Sequence, residues 1–353
     1  MKSLKYTLPI LLLTSVFLWT QLINAKVSAY VSIDKITPGY AEAGIDNISE
    51  ISHTSDELES TTSNSDYLTA QTIIKNDPYL NRQWPLSTID MPDSIHFEEK
   101  DPVIIAVLDT GIDKNHEDLQ GKVIAEVNFT DSPTSDDING HGTFVAGIIS
   151  AASNNGIGIA GMVPNSHLLN VKVANDNGNC KGINVARGIK WATDHGANVI
   201  NLSIDLRMGF SDLENAIDYA WKNGVVIVAA ASNQTIKPVY PARYKNCIST
   251  VAIDKYYQEG PLSGYGDWVN VAAPGITVYS TLPLDKYGFK SGTSFAVAHV
   301  TGLAALLFEI AQDQNHDGKT NDEIRAAIEN GATLTVSNNF KCIDVVNSIQ
   351  LIR

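Results

Sequence analysis

Short apolar runs alternate with amphipathic stretches along most of this chain, and this alternation restricts the folds that it can adopt. The runs read VIIAVLD, HLLNVKV, NVINLSI and VVIVAA. Between them lie the amphipathic stretches HGTFVAGIISAAS, INVARGIKWATDHG and DLENAIDYAWKNG. Buried strands that alternate with helices are typical of βαβ units, in which helices cover both faces of a parallel sheet. The sequence therefore predicts an α/β fold of three layers, with a mostly parallel central sheet and helices on both faces.

The N-terminal part of the chain differs in composition from the rest. Two lysines, an apolar stretch and small residues follow one another in residues 1–25, as in a secretory signal peptide. We expect cleavage after residue 25 or as late as Ala29, with a retained membrane anchor as the alternative. Residues 26–75 are rich in Ser, Thr and acidic side chains, too polar for a core of their own, and are interpreted as a pro-segment or tether. We expect a secreted, extracellular zymogen whose folded domain spans residues 76–353.

Charge and cysteine usage argue against a nucleic-acid-binding protein, a disulfide-rich scaffold and a zinc site. The formal net charge is −14, opposite in sign to the basic surface of a nucleic-acid-binding protein, so no nucleic-acid partner is expected. The three cysteines, Cys180, Cys247 and Cys342, are too few for a disulfide framework, and no two have the CxxC spacing of a zinc site. One disulfide among the three possible pairs stays open.

Three polar residues stand where predicted strands end or helices begin. The segment VIIAVLDTGID ends a buried strand in Asp109, while NGHGTFVAGI and SGTSFAVAHV place His141 and Ser294 at glycine-flanked helix starts. Parallel sheets bind their ligands at the carboxyl ends of strands, which is where Asp109 lies. A serine hydroxyl is a poor nucleophile unless a base takes its proton, and a histidine oriented by a carboxylate is such a base. These residues are therefore interpreted as a catalytic triad, with the amide of Ser294 facing a developing oxyanion.

The chain order Asp, His, Ser, with the serine outside a GxSxG elbow, resembles that of the subtilisin-like serine proteases. The resemblance extends from Asn76 to the C-terminus, and NDPYLNRQW, YGDWVNVAAPG and IRAAIEN are similar to thermitase-like members of that family. It implies the subtilisin-like form of the three-layer fold and a serine endopeptidase that works through an acyl-enzyme. It also implies that Asn233, at the end of VVIVAAASN, supplies the second oxyanion donor.

The chain departs from the family pattern in the segments that border the substrate. Asp205 and Leu206 stand where the family has two glycines, and Ser232 and Val239 each replace a glycine as well. These changes predict a narrowed cleft, in which Asp205 either pairs with a basic substrate side chain or faces solvent. The residues expected to line the cleft are Ser203, Ile204, Asp205, Leu206, Ala231, Ser232 and Val239.

A narrow cleft favours a selective processing protease over a scavenging one. A secreted enzyme with a short, acidic pro-segment also resembles the leader peptidases of lantibiotic biosynthesis. The alternatives are a general extracellular subtilisin-like protease and an inactive protein that binds peptides without cutting them. In each case the expected partner is a peptide or protein, and we expect a monomer.

In thermitase-like proteins the segment that corresponds to AASNNGIGIAG wraps a calcium ion, so the resemblance implies a structural calcium site here. The implied ligands are the carboxylates of Asp77 and Asp118, the side-chain oxygen of Asn155, and the carbonyls of Ala152, Ile157 and Ile159. With one bidentate carboxylate they supply about seven oxygens, a number that suits calcium. The same segment matches GxGxxG, but a dinucleotide site needs a strand before it and a helix after it, so no nucleotide cofactor is expected.

A second acidic stretch, DQNHDGKTNDE from Asp313, begins like an EF-hand loop. Its twelfth position is Ile324, where a bidentate acid belongs. Thr320 and Glu323 fit a helix capping box better. A metal site near Asp313 and Asp317 stays open.

Overall fold

Eleven strands are present in the computed structural model, which describes residues 76–92, 101–232, 239–260, 266–334 and 340–353. They are β1 (Ile104–Asp109), β2 (Val123–Asn128), β3 (His167–Lys172), β4 (Val199–Leu202), β5 (Val226–Ala230), β6 (Ile248–Ile253), β7 (Val271–Pro274), β8 (Val278–Leu282), β9 (Lys286–Lys290), β10 (Thr333–Leu334) and β11 (Lys341–Cys342). All described residues fall in the unit Asn64–Arg353. The predicted signal peptide and pro-segment, residues 1–75, lie outside them.

Nine of these strands form one sheet in the order β10-β11-β7-β6-β5-β4-β1-β3-β2, and β8 pairs with β9 in a separate antiparallel hairpin. Neighbouring strands of the large sheet run parallel, except for the antiparallel pair β10–β11. From β1 the chain adds β3 and β2 on one side and β4 to β7 on the other. The carboxyl end of β1 is therefore a topological switch point, where parallel sheets form their ligand-binding crevice.

The helices of the described residues cover both faces of this sheet. They are α1 (Trp84–Thr88), α2 (His141–Ser150), α3 (Gly182–Asp194), α4 (Ser211–Lys222), α5 (Thr293–Phe308), α6 (Asn321–Gly331) and α7 (Val345–Ile352). The three amphipathic stretches of the sequence correspond to α2, α3 and α4. None of the helices in the described part of the chain is long and apolar enough to cross a membrane.

Alternate residues of the strands build two separate cores. In β1, Ile105 and Val107 pack with α2 and α5, whereas Ala106 and Leu108 pack with α3 and α4. Helix α5 is buried from Thr293 to Leu307, in keeping with its predominantly apolar sequence. The predicted three-layer α/β fold with a mostly parallel sheet is confirmed.

Helix α2 lies directly against β8 because residue 147 has no side chain. A Cβ atom on Gly147 would overlap the hydroxyl of Thr281 and stand 2.6 Å from that of Ser280. Those hydroxyls donate to α2 carbonyls, Ser280 Oγ to Phe144 at 2.8 Å and Thr281 Oγ1 to Thr143 at 2.7 Å. This contact fixes the distance between α2 and the β8–β9 hairpin.

We predict that Gly147→Ala destabilises the protein, although alanine normally favours a helix over glycine. Overpacking should cost about 1–3 kcal/mol of unfolding free energy. The measurement is chemical denaturation of Gly147→Ala, Thr281→Ala and the double variant. Because the Thr281 hydroxyl is the nearest obstacle, the double variant should lose less stability than the sum of the two single losses. Strictly additive losses would show that this contact does not limit the packing.

Candidate active site

The ends of three neighbouring strands and the starts of two helices meet at the switch point. Asp109 is the last residue of β1, and the segments after β4 and β5 begin beside it in the sheet order. His141 is the first residue of α2, and Ser294 is the second residue of α5. The structure therefore brings together the three elements that carry the predicted triad.

A hydrogen bond joins the predicted acid to the predicted base. His141 Nδ1 lies 2.7 Å from Asp109 Oδ1, and the Thr110 amide donates to the same oxygen at 2.7 Å. Asp109 is only 3% exposed. A Cβ atom on Gly142 would overlap the carbonyl oxygen of Gly111, so the glycine after the histidine allows α2 to approach β1 this closely.

Two opposing effects set the pKa of His141. Burial of the imidazole lowers the pKa, but the charge of Asp109 and the hydrogen bond to it together outweigh burial. The net result is a pKa above the ordinary value for histidine. A carboxylate that holds Nδ1–H leaves Nε2 as the nitrogen that accepts a proton.

The predicted nucleophile, Ser294, forms hydrogen bonds with the segment that follows β4. Ser294 is buried, and its Oγ makes a long hydrogen bond of 3.5 Å to the carbonyl oxygen of Ser203. Ser203 Oγ in turn donates to the carbonyl oxygen of Ser294 at 3.1 Å. The ring of Phe295 lies 5.6 Å from the imidazole of His141, so Ser294 adjoins a residue in contact with the base. Hydrogen bonds between nucleophile and base are often loose in a free enzyme and shorten when substrate binds.

The segment after β5 has an unusual backbone where the family has glycine. Ala231 and Ser232 are buried, and Ser232 has a φ of 80°, in the left-handed region that glycine adopts without strain. Asn233, the predicted oxyanion donor, lies outside the described residues.

The predicted cleft residues form a wall that is tied to the segment 239–244. Leu206 and Tyr240 exchange two backbone hydrogen bonds, of 2.6 and 2.9 Å, and Val239 is buried beside them. Asp205 is exposed, and its carboxylate accepts a 2.7 Å hydrogen bond from Ser232 Oγ. Both alternatives for Asp205 stay open, because an exposed carboxylate can face solvent or meet a basic side chain of a substrate.

Aromatic side chains pack against this wall. A Cβ atom on Gly182 would lie 2.6 Å from the Phe210 ring and 3.2 Å from Leu206, so these two side chains fill the space next to the glycine. The Tyr244 hydroxyl accepts from the Phe210 amide at 3.0 Å and donates to its carbonyl at 3.2 Å. The wall is thus a packed structure and not a loose glycine-rich loop.

Two buried charged residues near the triad were missed by the sequence analysis. The Lys172 side chain is fully buried; its ammonium donates to the carbonyl oxygens of Thr110 and of Asp136, the latter at 3.0 Å, and pairs with Asp176 at 2.8 Å. A lysine that ends the apolar run HLLNVK is a signal that could have found it. Asp137, which is also buried, stands in a polar loop with other aspartates and gives no such signal.

All three cysteines are free, which answers the question left open about a disulfide. Burial raises the pKa of Cys180 and of Cys342 to about 12, and it raises that of Cys247 as well. These thiols therefore stay protonated at neutral pH.

The predicted calcium ligands converge around the loop that follows α2. Asp77 accepts hydrogen bonds from the amides of Asn154 and Asn155, at 2.9 and 3.2 Å. Asp118 accepts from the Ile159 amide at 2.9 Å and from the Asn155 side chain at 3.0 Å. The side-chain oxygen of Asn155 and the backbone of Ala152 and Ile157 belong to the same network.

The charge of this loop fits a divalent cation. Asp118 is 0% and Asp77 is 5% exposed, and within the described residues neither forms an ion pair with a basic side chain. Burial raises the pKa of Asp118, although hydrogen bonds, the largest from Asn155, oppose the rise. Buried carboxylates are normally paired with cations or coordinate metals. No group of three His, Cys, Asp or Glu side chains surrounds such a site in the described ranges, so amide and carbonyl oxygens would complete the ligand set.

The second acidic stretch is held together by its own backbone. Asp313 accepts from the amides of Asp317 and Gly318, at 3.2 and 2.8 Å. The predicted capping box is wrong. The Thr320 side chain makes no capping hydrogen bond, and Glu323 instead accepts from the amides of Gln314 and Asn315. The loop turns back far enough to present those amides before the helix starts.

Comparison with known proteins agrees with this fold. Residues 100–342 match the family model described as the subtilase family, Peptidase_S8. The chain therefore belongs to the subtilase family, and the predicted identity as a subtilisin-like serine endopeptidase is confirmed.

Several named relatives share most of this domain. Thermitase from Thermoactinomyces vulgaris is 43% identical over 260 residues, which cover 73% of this chain and 91% of thermitase. The thermophilic serine proteinase of Bacillus sp. (strain AK1) is 46% identical over 230 residues, 65% of this chain and 56% of that protein. A solved protease structure from Pseudoalteromonas arctica PAMC 21717 matches with a TM-score of 0.67 at 26% identity, covering 79% of this chain and 99% of that one.

We predict that chelation of calcium lowers the midpoint of thermal unfolding. A ligand that binds only the folded state stabilises it by about 2.7 kcal/mol when its concentration is roughly 100 times Kd. The measurement is thermal unfolding with excess calcium or excess EDTA for the wild type, Asp118→Asn and the exposed control Asp212→Asn.

The wild type and Asp212→Asn should both lose stability in EDTA, while Asp118→Asn should respond little to either condition. In EDTA at neutral pH, Asp118→Asn should be at least as stable as the wild type, because a carboxylate whose pKa is raised by folding opposes folding when it is ionised. A wild-type midpoint that is the same in calcium and in EDTA would argue against the site.

Proposed function

We propose that this protein is a secreted serine endopeptidase that cuts peptide bonds through an acyl-enzyme. The observation that supports it most is the 2.7 Å hydrogen bond between the buried carboxylate of Asp109 and His141, beside the helix whose second residue is Ser294. His141 Nε2 takes the hydroxyl proton as Ser294 Oγ bonds to the scissile carbonyl carbon. The same proton passes to the leaving amine as the C–N bond breaks. Water then hydrolyses the ester by the same route and restores the hydroxyl.

The start of α5 presents backbone amides that can donate hydrogen bonds to an oxyanion. The first amides of a helix have no partner within the helix, and that of Ser294 is one of them. It would donate to the carbonyl oxygen when that oxygen becomes negatively charged. We assign the second donor to Asn233 by its position after β5 and Ser232.

Export, activation and calcium binding complete the proposal. The composition of residues 1–25 supports a signal peptide, and that of residues 26–75 supports a pro-segment removed from a zymogen. The buried carboxylates of Asp77 and Asp118, which form no ion pair with a basic side chain among the described residues, support a structural calcium ion held with Asn155. Calcium bound there would neutralise the two carboxylates and join the segment 76–83 to the loop after α2.

Within this class we propose a selective enzyme, of the kind that processes a precursor such as a lantibiotic leader peptide. The support is the packed wall of Leu206, Phe210 and Tyr240 in place of a glycine-rich border. A general extracellular protease is the second candidate, and it is favoured by relatives with names such as alkaline protease of Alkalihalobacillus alcalophilus, 39% identical over 248 residues. The two candidates differ in how many bonds they cut in an unfolded protein.

We predict that Ser294→Ala abolishes peptide hydrolysis while the fold is retained, because the variant lacks the hydroxyl proposed to form the acyl-enzyme. A fluorophosphonate probe should label the wild type at Ser294 and leave the variant unlabelled. Ser291→Ala is a matched control, since Ser291 lies on the same segment and its hydroxyl accepts a hydrogen bond from the Thr277 amide, outside the triad. An active Ser294→Ala enzyme, or labelling at another residue, would refute the proposal.

We predict that Leu206→Gly broadens cleavage and that Asp205→Asn does not. The test is digestion of unfolded casein and of a peptide library, with the cut bonds counted by mass spectrometry. The wild type should cut few bonds, and Leu206→Gly should cut more because the wall loses its packed side chain. Asp205→Asn should lower kcat/KM for arginyl and leucyl substrates alike, by at most about fivefold, since contacts of an exposed carboxylate are weak.

Broad cutting of casein by the wild type would favour the general protease. A loss on arginyl substrates far larger than that on leucyl ones would show that the charge of Asp205, and not the shape of the wall, selects the substrate.

A further inference from the structure

One buried carboxylate outside the triad contacts both segments that carry its acid and its base. Asp137 is 3% exposed, and it accepts four hydrogen bonds from three residues. Oδ1 accepts from Thr110 Oγ1 and from the Gly140 amide, both at 2.8 Å. Oδ2 accepts from the amide and the hydroxyl of Thr143, at 2.8 and 2.7 Å.

These donors lie on either side of the reacting groups. Thr110 follows Asp109 directly, while Gly140 and Thr143 flank His141 along the chain. Thr110 Oγ1 also accepts from the Gly142 amide at 3.0 Å, so its hydroxyl links the two segments as well. The geometry points to Asp137 as a positioning residue that fixes Asp109 and His141 relative to each other, an inference that rests on the proposed function.

Asp137 also accepts hydrogen bonds from backbone amides at the start of α2. The first amides of α2 have no partner within the helix, and its N-cap residue, Gly140, has no side chain that could accept from them. The carboxylate of Asp137 takes up the Thr143 amide, and the Thr110 hydroxyl takes up that of Gly142. A negative charge at a helix start is further favoured by the helix dipole. The start of α2 is thus held by groups that reach it from outside the helix.

The ammonium group of Lys290 binds the same turn, at Gly140. Lys290, the last residue of β9, donates from Nζ to the carbonyl oxygen of Gly140 at 2.9 Å and lies 5.4 Å above the Phe144 ring. It stands four residues before Ser294. Gly140 is therefore bound through its amide to Asp137 and through its carbonyl to Lys290.

The two groups act on the base with opposite sign. The charged side chains that influence His141 are Asp109, Lys290 and Asp137. After burial and Asp109, which dominate, Lys290 lowers the pKa of His141 and Asp137 raises it. The imidazole accepts a proton only in its neutral form, so the acidic limb of the kcat/KM profile follows this pKa in the free enzyme.

The test is the pH profile of kcat and KM on one peptide substrate for Asp137→Asn, Lys290→Met and Lys290→Arg. Asp137→Asn should lower kcat roughly 10- to 100-fold, the effect of losing hydrogen bonds to a charged group, with little change in KM. Its acidic limb should move to lower pH, and that of Lys290→Met to higher pH. Lys290→Arg retains the charge and should keep the wild-type limb.

A second comparison separates positioning from general stability. If Asp137 acts through Thr110, the losses of kcat in Thr110→Val and Asp137→Asn should be less than additive in the double variant. Unfolding midpoints identify any variant that fails to fold, and Thr110→Ser, which keeps the hydroxyl, should recover most of the activity lost in Thr110→Val.

An Asp137→Asn enzyme with wild-type kcat and an unmoved acidic limb would overturn the inference, as would limbs that move in the same direction for Asp137→Asn and Lys290→Met. Failure of the proposed function gives a different result, namely a wild-type protein that neither cuts peptides nor reacts with a fluorophosphonate.

Discussion

The hydrogen bond between the carboxylate of Asp109 and the imidazole of His141 joins the end of β1 to the start of α2, and the rest of the site depends on it. Asp109 is almost completely buried, and an ionised carboxylate left unpaired in such a place costs far more free energy than a neutral polar group would. Pairing with His141 offsets part of that cost, although Asp109 Oδ2 has no hydrogen-bond partner among the described residues, and it leaves Nε2 available for proton transfer. The bond is possible because Gly142 allows close approach and because Thr110 and Asp137 hold both partners.

The architecture supplies the rigidity that this bond requires. Parallel strands bring their carboxyl ends to one edge, so the segments after β1, β4 and β5 meet without long loops. Helix α5 passes through the core and is buried over nearly its whole length, which fixes Ser294 at its start. Reciprocal hydrogen bonds with Ser203 attach that start to the segment after β4. The predicted nucleophile is thereby positioned by the core, and the predicted cleft residues are positioned by the strand ends.

Apolar periodicity predicted the strands β1, β3, β4 and β5 and the helices α2, α3 and α4, because burial imposes the same pattern on any chain of this fold. Asp109, His141 and Ser294 were predicted because strand ends and helix starts are visible in sequence. Asp137 was not, since its partners meet only after its loop folds. The orientation of Asp205 could not be predicted either, because it depends on the left-handed backbone of Ser232. The capping box failed at Thr320 for a similar reason, as the loop turns back and presents other amides to Glu323.

A crystal structure of the protein after reaction with a peptidyl fluorophosphonate would test the central claim most directly. The account predicts a covalent bond from phosphorus to Ser294 Oγ, with His141 Nε2 within hydrogen-bond distance of the adduct and Nδ1 still bound to Asp109. A phosphoryl oxygen should face the amide of Ser294 and the side chain of Asn233. An adduct on another residue, or an imidazole turned away from both Asp109 and the phosphorus, would contradict it.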